Sequence, residues 1–371
     1  MDFDPRPVSP FEVETNASEL YAEEAAETRE LETERIVLPA PSIEQGGAVP
    51  SAPSAPPLKS ILDDERVAHV AAAIGVACWS IAGTALRLEI GRCLLRHGFL
   101  TTYTTFGANC VGCFLMGFIE ATANIQTQSR RFPWIFRSLL AGFCGSLTTF
   151  SSWMLDTVGR DTAALAFGEL LSGLTIPFVF LLWGHDTVSM LRAVTGSTRG
   201  RRVSLSTSLA GGHSCRQLHL ANIVFLALSV VMAVVIPIAV EVAVSRGLLD
   251  VSLIDRRSVI FAPLGAVPRY VLGHLLNGTG RFWRLPVGTF TANLIAVLLM
   301  GITDYYFRHE GNVWCKIVMN GLCGSLSTVS SFINEIVAMY SLGHRRSAYI
   351  YAAASVAVSA AIMAVCRRVL S

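Results

Sequence analysis

Gly142-Phe143-Cys144-Gly145-Ser146-Leu147-Thr148-Thr149-Phe150-Ser151-Ser152-Trp153 returns in the second half of the chain as Gly321-Leu322-Cys323-Gly324-Ser325-Leu326-Ser327-Thr328-Val329-Ser330-Ser331-Phe332. Each copy sets glycines and hydroxyls in the middle of an apolar run, and each is followed by one carboxylate, Asp156 or Glu335. Small polar residues inside a hydrophobic span lower helix propensity and let the backbone open. In lipid, an opened backbone is tolerated only where protein buries it or where it lines a hydrated cavity or an ion site. A broken, hydroxyl-rich membrane helix that occurs twice is a candidate ion-conducting element.

Composition agrees with a membrane setting. Of 371 residues, 52% are hydrophobic and only 15% charged, with a mean hydropathy of +0.51; soluble domains are nearer a quarter charged. Over half of the acidic residues precede Arg66, and lysine is confined to Lys59 and Lys316. The arginines flank apolar spans, which marks them as topology determinants and gives no sign of a nucleic-acid partner. Cys110 and Cys113 form a lone C-x-x-C without a second pair or a histidine cluster, so packing is the simpler role for the cysteines.

Residues 1–65 are acidic and rich in Pro, Ala and Ser, a composition expected to give a disordered tail. Apolar spans of membrane-crossing length follow at 68–88, 104–124, 134–157 and 162–184. An Arg/Ser/Gly-rich loop, 185–218, separates them from a very apolar helix within 219–246. Four more spans, at 258–276, 286–306, 313–341 and 347–368, complete the count. The expected fold is an all-α membrane protein with nine transmembrane helices, arranged as four, one and four. Its domains are 66–184 and 247–371, each with a broken third helix.

The two sets align in order: Gly83-x-x-x-Arg87 with Gly265-x-x-x-Arg269, Phe106-x-x-Asn109 with Phe290-x-x-Asn293, and Gly117 with Gly301. A single odd helix between two four-helix units turns the second upside down. That predicts an inverted repeat with shared sites at the repeat interface. The Arg-rich loop lies on the tail's side, which leans the N-terminus toward the cytoplasm.

Asn109 and Asn293 each sit in a second helix, either as an interhelix clamp or lining a pore with amide donors. Tyr351, Ser355 and Ser359, spaced by four, share one helix face; they form a hydroxyl stripe or a small-residue packing seam. In the first half the matching stripe is broken, leaving Ser172 and Thr175 beside Gly168 and Ile176. Phe150 and Phe332 end the glycine–hydroxyl segments, and a ring edge there could face an anion. Arg87 and Arg269 are snorkelling anchors or a basic vestibule. No catalytic triad, P-loop or H-E-x-x-H occurs, so an enzyme is not expected.

Gly107-x-Asn109-x-x-Gly112-x-Phe114-x-x-Gly117 and Gly142-x-x-Gly145-x-x-Thr148-Thr149-Phe150-Ser151 resemble the two diagnostic motifs of the Fluc/CrcB fluoride channels, and Gly265-Ala266-x-x-Arg269-Tyr270 resembles the first-helix motif. The likeness covers 68–368 in duplicate, a layout similar to the eukaryotic two-domain fluoride exporters. It implies a passive fluoride-selective channel in the plasma membrane that confers fluoride resistance and works as a monomer, the two halves acting as a pseudo-dimer in the lipid bilayer. It also implies pores lined by Asn109 or Asn293, by Thr149 and Thr328, by Phe150 and Phe332, and by Tyr351, Ser355 and Ser359. A structural sodium ion would sit on the backbone carbonyls of Gly145, Thr148, Gly324 and Ser327.

The phenylalanine positions depart from the family's pattern: they read Phe150 and Trp153 in the first half, Val329 and Phe332 in the second. One pore would then hold Phe150 with Phe332 and the other Val329 with Trp153, an expectation of one working and one vestigial pore. A secondary transporter of a small metabolite, coupled through Asp156 or Glu335, is the alternative, and a non-transport membrane scaffold is a third.

Overall fold

The computed structural model describes residues 65–96, 105–123, 132–197, 215–247, 251–277 and 285–369. The predicted tail lies outside them except for Glu65; of the predicted 185–218 loop, residues 198–214 lie outside them, while 185–197 and 215–218 are helical rather than loop. Among the described residues the chain is all-helical, without strands, and they belong to one compact unit, Pro56–Ser371.

The helices are α1 (Glu65–Arg96), α2 (Phe106–Ala123), α3 (133–147), α4 (Phe150–Val158), α5 (Ala163–Ser197), α6 (Cys215–Ser245), α7 (Leu253–Leu276), α8 (Val287–Glu310), α9 (313–326), α10 (Ser330–Ser341) and α11 (Arg345–Val369). Seven stretches among the described residues are long and apolar enough to cross a membrane, with Phe106–Thr122 a shorter apolar helix. The sequence predicts nine spans. The difference falls on α2, whose described length is short, and on the first copy's broken third helix, 133–158, which is not among the seven although its counterpart Val313–Ser341 is.

Each third helix opens where the sequence places its glycines and hydroxyls. π-Helical turns, Ser138–Cys144 and Met319–Cys323, lead into one tight Gly-Ser-Leu turn. Thr148 and Ser327 then adopt extended backbone with ψ of 152° and 157°. The widened i→i+5 bonds of a π-turn loosen carbonyls that an α-helix would use. Side-chain caps restart or begin helices elsewhere: Ser252 accepts from Asp255 N at 3.1 Å to start α7, and Asn312 accepts from Trp314 N at 2.9 Å to start α9.

α6 is apolar on nearly every side and almost wholly exposed, as a lipid-facing helix must be. It is tied to α1 where Trp79 Nε1 donates to Ser229 Oγ at 3.1 Å and the Trp79 ring stacks on Phe225. The core lies where α4 and α10 meet, with Phe150, Trp153, Val329, Phe332 and Tyr351 buried together.

Candidate functional site

The two helix breaks interlock, and each caps the other. Thr148 Oγ1, from the first copy, accepts from the backbone N of Val329 and Ser330 at 3.2 and 3.1 Å, at the start of α10. Ser327 Oγ, from the second copy, accepts from the backbone N of Phe150 and Ser151 at 3.1 and 3.0 Å, at the start of α4. The first amides of a helix have no partner within it, so here each half-helix takes its first acceptor from the other repeat, while its own Thr149 or Thr328 hydroxyl accepts from Ser152 N or Ser331 N at 3.4 Å. The hydroxyls also bond among themselves, Thr148 to Thr328 at 3.1 Å and Ser151 to Ser327 at 2.9 Å.

Loss of a capping hydroxyl leaves two buried amides unpaired. Thr148→Ala and Ser327→Ala should each lower stability by about 1–3 kcal/mol, while Thr148→Ser and Ser327→Thr stay close to the parent. Thermal unfolding in detergent reads this out, and an alanine variant as stable as the parent contradicts the mutual capping.

The two asparagines do the same work in each copy. Asn109 Oδ1 accepts from Thr149 N at 2.9 Å and its Nδ2 donates to Thr149 O at 3.3 Å. Asn293 Oδ1 accepts from Thr328 N at 2.8 Å and its Nδ2 donates to Thr328 O at 3.2 Å. Each amide therefore clamps the backbone just after a break, and one Nδ2 hydrogen remains beyond the clamp.

Arg87 and Arg269 are almost fully buried and act as staples between repeats. Arg87 donates to Gly324 O at 2.6 Å and to Asn320 O. Arg269 donates to Ser325 O at 2.9 Å and to Ala141 O at 2.7 Å. Gly145 and Gly324 must be glycine for this, because a Cβ at either would overlap a guanidinium group. Of the two predicted vestibule arginines, Arg269 does line a cavity, of about 280 Å³, together with His69, Arg137, His274, Thr328 and Glu335.

Glu335 stands at the foot of that cavity. Its Oε1 accepts from Thr289 at 2.5 Å and Asn277 at 3.1 Å, and its Oε2 accepts from the Tyr351 hydroxyl at 2.7 Å. Thr289 and Asn277 escaped the sequence reading because they meet Glu335 only through the fold. Tyr351 in turn touches Phe332, ring centroids 5.4 Å apart, and Phe332 meets Phe150 at 5.3 Å with planes at 75°. The two phenylalanines predicted to pair do pair.

Beyond Tyr351, Ser355 and Ser359 are buried on the same face of α11, and neither hydroxyl has a hydrogen-bond partner. An unpaired buried hydroxyl is costly unless a ligand or ion uses it. In the first copy the face that packs inward is Glu169, Gly173, Pro177 and Leu181, while Ser172 is half-buried and Thr175 exposed. The residual stripe expected from Ser172 and Thr175 therefore does not face the interior. Trp153 donates from Nε1 to Glu169 O at 3.2 Å and stacks edge-on against Phe150. The space that Asn109, Trp153, Glu169, Gly173 and Pro177 leave is only about 10 Å³.

For the implied sodium, the carbonyls of Gly145, Thr148 and Ser327 accept no hydrogen bond among the described residues, since Thr149 N turns to Asn109 instead. The Gly324 carbonyl is held by Arg87. Uncommitted carbonyl oxygens suit a hard cation, so Thr148 and Ser327 fit best, with Gly145 and Gly324 each beside a guanidinium. No group of three His, Cys, Asp or Glu among the described residues could hold a metal, and Cys110, Cys113, Cys144 and Cys323 are buried free thiols.

The profile of CrcB-like proteins (Camphor Resistance, CrcB) matches residues 74–185 and again 257–367, together more than half of the chain. The chain belongs to the CrcB-like family. Both family segments contain the break, the asparagine and the arginine described above. Among curated CrcB-like relatives, Fluoride export protein 1 of Saccharomyces cerevisiae is 26% identical over 299 residues, covering 64% of this chain and 77% of the relative. Fluoride export protein 1 of Neurospora crassa is 28% identical over 262 residues, 62% of this chain and 47% of the relative. A single-repeat match, the fluoride-specific ion channel FluC of Nitrosomonas europaea, is 39% identical over 101 residues, 26% of this chain and 75% of the relative. No solved structure matches the CrcB-like chain.

Proposed function

We propose that this chain is a passive fluoride-selective channel that exports fluoride across the plasma membrane and confers fluoride resistance, with one working pore and one vestigial pore. The observation that carries the reading is the asymmetry between two otherwise matched routes. One has paired rings and unpartnered hydroxyls; the other is filled by an indole, a proline and a carboxylate.

The working route runs from the cavity at Arg269 and Glu335, past Asn293, Thr328, Phe150 and Phe332, to Tyr351, Ser355 and Ser359. Fluoride is small and strongly hydrated, so amide, hydroxyl and ring-edge donors must replace its water along a narrow path. The blocked route holds Asn109, Thr149, Val329, Trp153 and Glu169, whose carboxylate is tied to Arg160, and the Trp153 indole and Pro177 leave only about 10 Å³ there. A negative-inside potential drives the ion out at about 2.3 kcal/mol per charge per 100 mV, so no energy-coupling site is needed.

The reading rests on an inverted 4+1+4 repeat. Residues 66–184 and 247–371 are the two channel domains, 219–246 is the inverting helix, and the 1–65 tail is cytoplasmic. The mutual capping of the breaks supports it, because one chain then does the work of two subunits as a monomeric pseudo-dimer. A sodium ion on the Thr148 and Ser327 carbonyls would supply fixed positive charge between the halves. A coupled transporter of a small metabolite is favoured only by Glu335, a buried-network carboxylate at a cavity floor. Fluoride efflux from proteoliposomes under a pH gradient separates the two: a channel brings fluoride to its electrochemical equilibrium and no further, whereas uphill movement driven by the gradient supports coupling.

A further inference from the structure

α6 meets the bundle mainly along α1, and beyond their contact the two helices leave a groove. At its inner end Trp79 donates to Ser229 and its ring stacks on Phe225. An apolar cavity of about 260 Å³ starts there, between Ile81 and Ala82 on α1 and Met232 and Ala233 on α6. Ile236 lines this cavity and also a second one, of about 150 Å³, that reaches the ends of α1 and α6 and the start of α7. Pro237, inside α6, stands at the junction, where its missing amide lets the helix bend. From Cys78 to Arg92 the groove follows α1 for about 20 Å, enough for an acyl chain in one leaflet of a hydrocarbon core about 30 Å thick.

The outer end is polar. Arg92 pairs with Glu89 at 2.8 Å and lies 3.5 Å from Asp255, while Arg256 pairs with Glu241 at 2.5 Å. All five side chains line the second cavity. The Nε of each arginine is buried without a hydrogen-bond partner, and Glu89 and Glu241 are mostly exposed. An apolar slot that ends in a rim of both charges fits an amphiphile whose head carries both charges. We propose that this groove binds one phosphatidylethanolamine molecule, with an acyl chain against Ile81, Ala82 and Ala233, its phosphate at Arg92 and Arg256, and its ammonium at Glu89 and Glu241. Guanidinium groups suit phosphate oxygens, and an ammonium donates charge-assisted hydrogen bonds to carboxylates. A choline head has no N–H to donate. A purely anionic head would meet three carboxylates against two guanidiniums. The bound lipid ties α6 to α1 and α7 where the helices themselves do not meet, whichever ion the protein passes.

Native mass spectrometry of the full chain tests this, after delipidation in detergent and titration with ethanolamine, choline and glycerol phospholipids of matched acyl chains. The parent should bind one ethanolamine lipid about tenfold more tightly than either of the others. Ala233→Trp, which fills the groove, should abolish that binding. Arg92→Gln with Arg256→Gln should weaken it about tenfold, and Glu89→Gln with Glu241→Gln should bring the ethanolamine lipid down to the level of the choline lipid. A parent that holds the three lipids alike shows only a general lipid annulus and overturns the proposal, as does a preference for the glycerol lipid. Unchanged binding in Ala233→Trp places the lipid elsewhere and also overturns it. If the double arginine variant is not monodisperse, the double glutamate variant decides, and a preserved ethanolamine preference in it contradicts the site.

Discussion

Phe332→Ile and Phe150→Ile should each cut fluoride efflux by about a hundredfold, equivalent to about 3 kcal/mol in the barrier, whereas Val329→Ala and Trp153→Phe should leave it near the parent rate. The rings of Phe150 and Phe332 meet edge to face, and Phe332 continues to Tyr351. A ring edge carries partial positive charge, and an aliphatic side chain of similar bulk offers none. Isoleucine is chosen because Phe→Ala in a packed core costs about 3–5 kcal/mol and would confuse lost conduction with lost folding. Val329 and Trp153 belong to the other route, which Trp153 already fills. Proteoliposome efflux, read beside a thermal melt, checks the four variants. Equal loss at both pairs ends the single-pore account.

Ser355→Ala and Ser359→Ala separate conduction from stability in opposite directions. Both hydroxyls are buried and unpaired, so removing them relieves desolvated polar groups and should hold or raise the melting temperature. Fluoride loses donors it needs in exchange for hydration, and the double variant should slow efflux by about tenfold or more. A packing seam predicts the reverse pattern, a destabilised protein with unchanged flux. The two hypotheses for the Tyr351 stripe thus differ in sign on both axes.

The breaks were legible in the sequence because glycines and hydroxyls in an apolar run have few other uses in lipid. The pairing of Phe150 with Phe332 was legible too, once the repeat was aligned. What the sequence could not show is which group meets which across the repeats. Thr148 and Ser327 were singled out for their carbonyls, yet their hydroxyls also cap the opposite helix, because an intertwined break exposes amides to the partner copy. Arg87 and Arg269 read as anchors or funnels at helix ends; burial turned both into donors to carbonyls, several of them in or just after the π-turns.

The first copy's stripe was misplaced by a few residues. The connections before α5 and α11 share no motif that fixes the register, and only packing shows Glu169, Gly173 and Pro177 facing inward. The Glu335 network was invisible for a related reason: Asn277 and Thr289 sit on separate helices, and no local spacing links them to a carboxylate on α10.

The central claim is tested most directly by placing the purified chain in liposomes loaded with fluoride or chloride and following each ion with its own electrode after a potassium ionophore sets the potential. The account predicts rapid fluoride efflux with chloride retained as in empty liposomes. Chloride leaving as readily as fluoride, or fluoride leaving no faster than from empty liposomes, contradicts it.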